Sequence, residues 1–348
     1  MKNSASNSSI TQASSAQQVL KQQSTPLLTA LTAVLATLGY VEVCHQRISQ
    51  QGNAKTNSYQ GLTRAQHSQF GSVMIKWQLN SDSNRDPFDN LDYEIAVSTA
   101  LNKSKLIQAQ KKAESILVIA PLVLAYDTLQ IEVFKQNQQL TILVMPYYKN
   151  GNLAHFLRQP LTDQQKYQLI VQVAHLITNL HDSGWLHNDI KPSNILLSEH
   201  QIYSADSEIV TPSLLLTDFA LAERFVEGSD RGVNKCFDQE YSIDAAGTPA
   251  YLAPERWQGQ GATQQSNIYA FGIMVYEILI GMRPFNISKQ SSEPLRDWAI
   301  EHCQKPIPIP ILPKEYHNYQ DIVKKLLAKR VERRCKNMEE VLRDLDKL

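Results

Sequence analysis

The octapeptide His187–Asn188–Asp189–Ile190–Lys191–Pro192–Ser193–Asn194, followed by Thr217–Asp218–Phe219–Ala220, decides the reading of this chain. Two carboxylates, a lysine and an asparagine stand at a spacing that suits phosphoryl transfer from Mg-ATP. The first carboxylate, Asp189, can take a proton from an attacking hydroxyl. Lys191 can neutralise charge on a moving phosphate. Asn194 and Asp218 offer the oxygen donors that Mg²⁺ prefers. Each carboxylate alone could equally cap a turn; the compound pattern is what points to chemistry.

The two stretches resemble the catalytic loop and metal-binding turn of the protein-kinase superfamily. Within it, the chain is similar to bacterial Ser/Thr kinases of the eukaryotic-like type. The resemblance implies an α+β, two-lobed fold with a β-rich N-lobe (40–145), a hinge (146–150) and a helical C-lobe (151–345). It also implies ATP and Mg²⁺ as cofactors, Asp189 as base, Lys191 as charge neutraliser, and Asn194 with Asp218 as metal ligands. Gly247–Thr248–Pro249–Ala250–Tyr251–Leu252–Ala253–Pro254–Glu255 is similar to the end of a kinase activation segment, where a peptide substrate rests. Small-molecule kinases of similar fold lack that stretch, so a protein substrate is implied. Thr248 is expected to link Asp189 and Lys191, and Glu255 to pair with Arg334, because a lone interior charge is expensive.

Upstream, Val73–Met74–Ile75–Lys76 resembles the strand that carries the phosphate-binding lysine, and Glu94 follows eighteen residues later on an expected helix. The family joins these two as an ion pair. Val144–Met145–Pro146–Tyr147–Tyr148 resembles the adenine-binding hinge. There the Pro146 carbonyl would accept and Tyr148 would donate, while Pro146 itself has no N–H. Asn152 takes a position that often contacts ribose. The phosphate loop is read in Gln50–Ser58, with Gly52 its one glycine; Phe70–Gly71–Ser72–Val73 is read as the turn between strands two and three.

Three residues depart from the family pattern. Asn188 replaces the arginine that clamps a phosphorylated activation segment in many kinases. Ala220 replaces the turn glycine, and Asn267 replaces an aspartate that braces the catalytic loop. Together they support an alternative, a pseudokinase or nucleotide-binding signalling scaffold with little turnover. The intact set of Lys76, Glu94, Asp189, Asn194 and Asp218 favours the enzyme.

Around these motifs the chain changes character. Short strand-like runs occupy Val41–Val43, Leu62–Arg64, Val73–Leu79, Pro121–Tyr126, Leu129–Phe134 and Leu140–Met145, with a helix near Asp89–Leu101. Beyond Tyr147 the pattern is helical: Leu169, Ile170, Val173, Ala174, Ile177 and Leu180 form a 3.6-period stripe, and Asn267–Gly281 is apolar almost all round. Ser198–Ser213 reads as a polar, exposed insertion. Residues 1–25 read as a disordered polar tail. Residues 26–39 read as an amphipathic helix, too short and threonine-rich to span a bilayer, packed on the kinase-like domain in preference to the alternative, a docking helix for a partner or a membrane surface.

Thirty-four basic and 34 acidic residues give zero net charge, which argues against capture of nucleic acid or an anionic membrane. Four dispersed cysteines lack metal-ligand spacing and fit a reduced, cytoplasmic compartment. No sensor segment is evident, so regulation by a separate protein is expected.

Overall fold

A computed structural model describes residues 24–51, 58–81, 91–112, 118–203, 210–225, 246–308 and 313–348. Gly52, most of the expected phosphate loop, the polar tail before Ser24 and Cys236 lie outside the described residues. The chain divides into two compact units: the part up to Asn102 with Pro121–Tyr147, and Lys103–Ala120 with Tyr148–Leu348.

The first unit holds helix α1 (Thr25–Thr37), strands β1 (Tyr40–Gln51), β2 (Ser58–His67) and β3 (Gly71–Ser81), the start of helix α2 (Leu91–Lys112), then β4 (Ala125–Val133) and β5 (Gln136–Pro146). The strands form one antiparallel sheet in the order β1-β2-β3-β5-β4. Side chains alternate between its faces. Ile75, Trp77, Leu140, Ile142 and Val144 share one buried cluster with Leu27, Leu31 and Leu35 of α1. Leu143 and Met145 point the other way and pack with Leu91 and Ile95 of α2. Lys76 pairs with Leu143 in register, so the same alternation turns the lysine toward α2.

Helix α1 begins with a proline in its first turn, where the missing N–H costs nothing, and stops at Gly39, whose φ of 86° suits glycine. Leu27, Leu31 and Leu35 are fully buried. Leu31→Ala should therefore destabilise the protein by about 2–5 kcal/mol in denaturant unfolding, whereas Ala33→Ser on the exposed side should be nearly silent.

Pro121–Tyr126 and Leu129–Phe134 are not two strands: residues 121–124 precede the strand, with the Leu124 N–H donating to Val144 O at 2.9 Å, and a single strand runs from Ala125 to Val133. Asp127 and Thr128, which lie between the two expected runs, pair with Ile142 and Thr141. They are polar because β4 is the edge of the sheet, where charge and polarity discourage further pairing. The turn read at Phe70–Gly71 does join β2 to β3, with Gly71 at φ 71°.

The second unit contains short helix α3 (Leu153–Phe156), α4 (Asp163–Asp182), β6 (Trp185–Leu186), β7 (Ile195–Tyr203), β8 (Val210–Leu216), β9 (Glu223–Arg224), α5 (Pro254–Trp257), α6 (Gln264–Ile280), α7 (Pro294–Cys303), α8 (Gln320–Leu326) and α9 (Met338–Leu345). Helix α4 opens with a reciprocal capping box between Thr162 and Gln165. It buries the stripe from Leu169 to Leu180.

Helix α6 is the core of this unit, buried nearly all round, and ends at Gly281 in the left-handed conformation. A Cβ on Gly272 would stand 2.7 Å from Leu326 Cβ and 2.9 Å from Leu327 Cδ2, so only glycine admits the close approach to α8.

The described ends of the insertion Ser198–Ser213 belong to strands β7 and β8. β7 and β8 pair from Ile195↔Leu216 to Leu197↔Leu214, shift register, and pair again from Gln201↔Pro212 to Tyr203↔Val210. Ser198 is buried.

Candidate active site

In the first unit, Lys76 Nζ donates to Glu94 Oε2 at 2.5 Å. The Glu94 carboxylate is almost wholly buried and the Lys76 side chain one-fifth exposed. Met145 is buried beside α2, and Pro146, with no N–H to offer the ladder, ends β5 opposite Val73. The Tyr147 N–H is committed to Ser72 O at 3.0 Å.

In the second unit the catalytic-loop residues converge. His187 lies fully buried between the loop and the turn after β8. Its Nδ1 accepts the Asp189 N–H at 3.3 Å, so Nε2 carries the proton and donates to Thr217 O at 3.1 Å. Burial pushes the imidazole down from its ordinary pKa; the Asp189 and Asp218 carboxylates pull the other way. The Thr217 N–H in turn donates to Asn194 O at 3.0 Å. Asp218 is thus fixed beside the loop through its neighbour's backbone on both sides.

Four donors meet on the Asp189 carboxylate. Lys191 Nζ and Asn194 Nδ2 reach Oδ2 at 2.5 and 3.0 Å. The Thr248 N–H and hydroxyl reach Oδ1 at 2.9 and 2.7 Å. Lys191 also donates to Thr248 Oγ1 at 2.6 Å, closing the triangle expected from sequence. A carboxylate gripped by charged and backbone donors is fixed in orientation, which is what general-base work requires.

The donor set suits a hard cation. Asn194 spends its amide nitrogen on Asp189, so its amide oxygen is the atom it could offer a cation, as the Asp218 carboxylate could. Among the described residues no cluster of three or more His, Cys, Asp or Glu could hold a metal alone.

Glu255 and Arg334 form the buried pair expected of them. Arg334 Nη1 and Nη2 reach Glu255 Oε1 and Oε2 at 2.7 and 3.0 Å. The guanidinium also donates to Gln265 O and Ala328 O, so all five N–H groups are used.

The three departures each have a place. Asp218, at φ 70°, is the left-handed residue of its turn; Ala220 does not have a positive φ, which is why alanine serves there. Asn267 Oδ1 accepts the Asn188 N–H at 3.2 Å, performing the brace with an amide. Asn188 is itself at φ 65°, a conformation that asparagine tolerates better than most residues, and its Nδ2 donates to Leu221 O at 2.9 Å.

Asn152 caps α3, its side-chain oxygen accepting the His155 N–H at 3.0 Å. Burial lifts the Tyr148 hydroxyl to about 12. Sequence reasoning missed the Asn188–Leu221 bond, whose acceptor is a backbone carbonyl and carries no signature.

Comparison with protein families matches the protein kinase domain over residues 63–344. A probable serine/threonine-protein kinase PknB of Lactococcus lactis is 28% identical over 207 residues, covering 58% of this chain and 29% of the relative. The serine/threonine-protein kinase PknB of Mycobacterium leprae is 26% identical over 231 residues, covering 64% and 32%. The human serine/threonine-protein kinase ULK1 is 26% identical over 226 residues, covering 64% and 20%. The aligned stretch is thus a third or less of each relative's own length.

Proposed function

The chain belongs to the protein kinase family, and from that premise we propose that it transfers the γ-phosphoryl group of Mg-ATP to Ser and Thr hydroxyls of proteins, itself included. One observation carries the reading. The Asp189 carboxylate is held by Lys191, Asn194 and Thr248, and Thr248 belongs to the Gly247–Glu255 stretch that resembles a peptide-substrate platform.

In this reading Asp189 orients the acceptor hydroxyl and receives its proton. Lys191, already charge-paired, offsets negative charge as it builds nearby. Asn194 and Asp218 would hold Mg²⁺, which would supply positive charge against the phosphates. Lys76, oriented by Glu94, would hold the α- and β-phosphates. The Pro146 carbonyl and the Tyr148 N–H, beside Met145, would receive adenine, and Gly52 would belong to the phosphate loop. The relatives named as serine/threonine kinases support the choice of acceptor.

The three described cysteines without a disulfide, Cys44, Cys303 and Cys335, support a reducing, cytoplasmic setting. Among the described residues no helix is long and apolar enough to cross a membrane. A separate regulatory protein completes the proposal.

The test is labelled ATP with Mg²⁺ and a general acceptor protein, read by phosphoamino-acid analysis. Phosphoserine and phosphothreonine are expected; label confined to tyrosine or to small molecules would overturn the reading. Asn188 also removes the cation that would clamp a phosphorylated activation segment. Ser229, Tyr241 and Ser242 lie outside the described residues. Changing each to Ala should leave the rate within about twofold of wild type, an effect below one ordinary hydrogen bond. Collapse of activity in any one would refute this.

A further inference from the structure

Asn188 does more than fill the place of an arginine. Its backbone N–H is fixed by Asn267 Oδ1 at 3.2 Å, and its side-chain amide reaches Leu221 O at 2.9 Å. Leu221 lies three residues beyond Asp218 of the metal-binding turn. A backbone N–H can only donate, so Asn267 Oδ1 must face Asn188 and Asn267 Nδ2 must face His181. Nδ2 lies 3.1 Å from His181 Nε2, which therefore accepts, leaving the imidazole proton on Nδ1. The Nδ1 atom is buried and finds no hydrogen-bond partner among the described residues. The Phe225 ring meets this imidazole in a T-shaped contact, centroids 6.0 Å apart.

We propose that Asn188 is a positioning residue: its amide straps the segment after the Asp218 turn to the catalytic loop, through uncharged hydrogen bonds that run back via Asn267 to His181 in α4. The proposal rests on the kinase reading, because what it positions is the Asp218 carboxylate relative to Asp189.

Three features support it. First, every link is neutral. Burial pushes His181 down to about 4, so the imidazole carries no charge near neutral pH. Second, the conformation is specific. Most side chains resist a φ of 65°, whereas asparagine accepts it and has an amide short enough to turn back onto a carbonyl of the adjoining segment. Third, the strap meets the turn from the side that the His187–Thr217 bond does not reach. His187 holds the residue before Asp218, and Asn188 holds the chain just beyond it. The carboxylate sits between two tethers on one loop.

A strap of this kind acts on the metal ligand more than on the fold, and that difference is measurable. Asn188→Gly keeps the left-handed backbone and removes only the side-chain amide. Asn188→Asp keeps the shape and sets an oxygen against Leu221 O. ATP affinity is measured by calorimetry with Mg²⁺ and with a chelator, together with the unfolding midpoint and hydrogen exchange over residues 216–224.

In both variants the Mg²⁺-dependent gain in ATP affinity should shrink about three- to tenfold, the range one ordinary hydrogen bond commands. Affinity in the chelator and the midpoint of the glycine variant should stay at wild-type values, and exchange after Asp218 should quicken. An earlier midpoint with unchanged Mg²⁺ dependence would overturn the proposal in favour of a structural role, as would a glycine variant indistinguishable from wild type. If the wild-type protein shows neither turnover nor Mg²⁺-dependent ATP binding, the kinase reading fails. The strap is then judged on exchange alone, where unchanged rates in Asn188→Gly refute it.

Discussion

Replacing Asp189 with alanine should lower autophosphorylation by roughly 10²- to 10⁴-fold, the contribution of a positioned general base. The reason lies in the four donors on that carboxylate. Removing it takes away the proton acceptor and leaves Lys191 and Thr248 without their common partner. Asp189→Asn separates these losses. It keeps an acceptor for the Thr248 donors but cannot take a proton, and its NH₂ group would oppose Lys191 Nζ. Both variants should therefore be slow, with the folded state better kept in Asp189→Asn. Labelled-ATP incorporation beside an unfolding curve decides the matter. Incorporation in Asp189→Ala equal to wild type would remove the basis of the proposed function.

Arg334→Ala should destabilise the protein by about 3–5 kcal/mol, because it leaves the Glu255 carboxylate charged and buried. Both side chains are nearly inaccessible: Arg334 is 0% and Glu255 4% exposed. Three carbonyl contacts to Gln265 and Ala328 are lost with the guanidinium. Arg334→Lys is not conservative here, since an ammonium has three donors and no fork. A double change, Arg334→Met with Glu255→Gln, should recover part of the loss by removing both charges. Denaturant midpoints for the single and double variants test this. A single variant within about 1 kcal/mol of wild type, as for an exposed pair, would refute it.

Much of this site was legible because its chemistry is written in side chains at fixed spacing. Lys76 and Glu94 sit eighteen residues apart on a strand and a helix, and they meet. The octapeptide and Thr248 meet as well. What was not legible depends on backbone acceptors or on partners elsewhere in the fold. The Leu221 carbonyl has no letter in the sequence, so the Asn188 bond could not be read from it. Polar Asp127 and Thr128 look like a turn until β5 is known to pair beside them. Ser198–Ser213 looks like a loop because alternation is weak there, yet the ladder resumes after a slip in register. The cap at Asn152 went unread, although an asparagine before an apolar helical run signals one.

The packing of α1 bears on where this protein can be cut. The stretch that matches the kinase family starts at residue 63, partway along β2. A gene trimmed to that boundary would encode Ile75, Trp77, Ile142 and Val144 without the Leu27, Leu31 and Leu35 side chains that cover them. The product would present a bare apolar sheet face, the kind of surface that drives aggregation. Inheritance and folding thus draw their borders in different places: the shared kinase segment is recognisable by itself, but a fragment that keeps this face covered has to begin at or before Ser24.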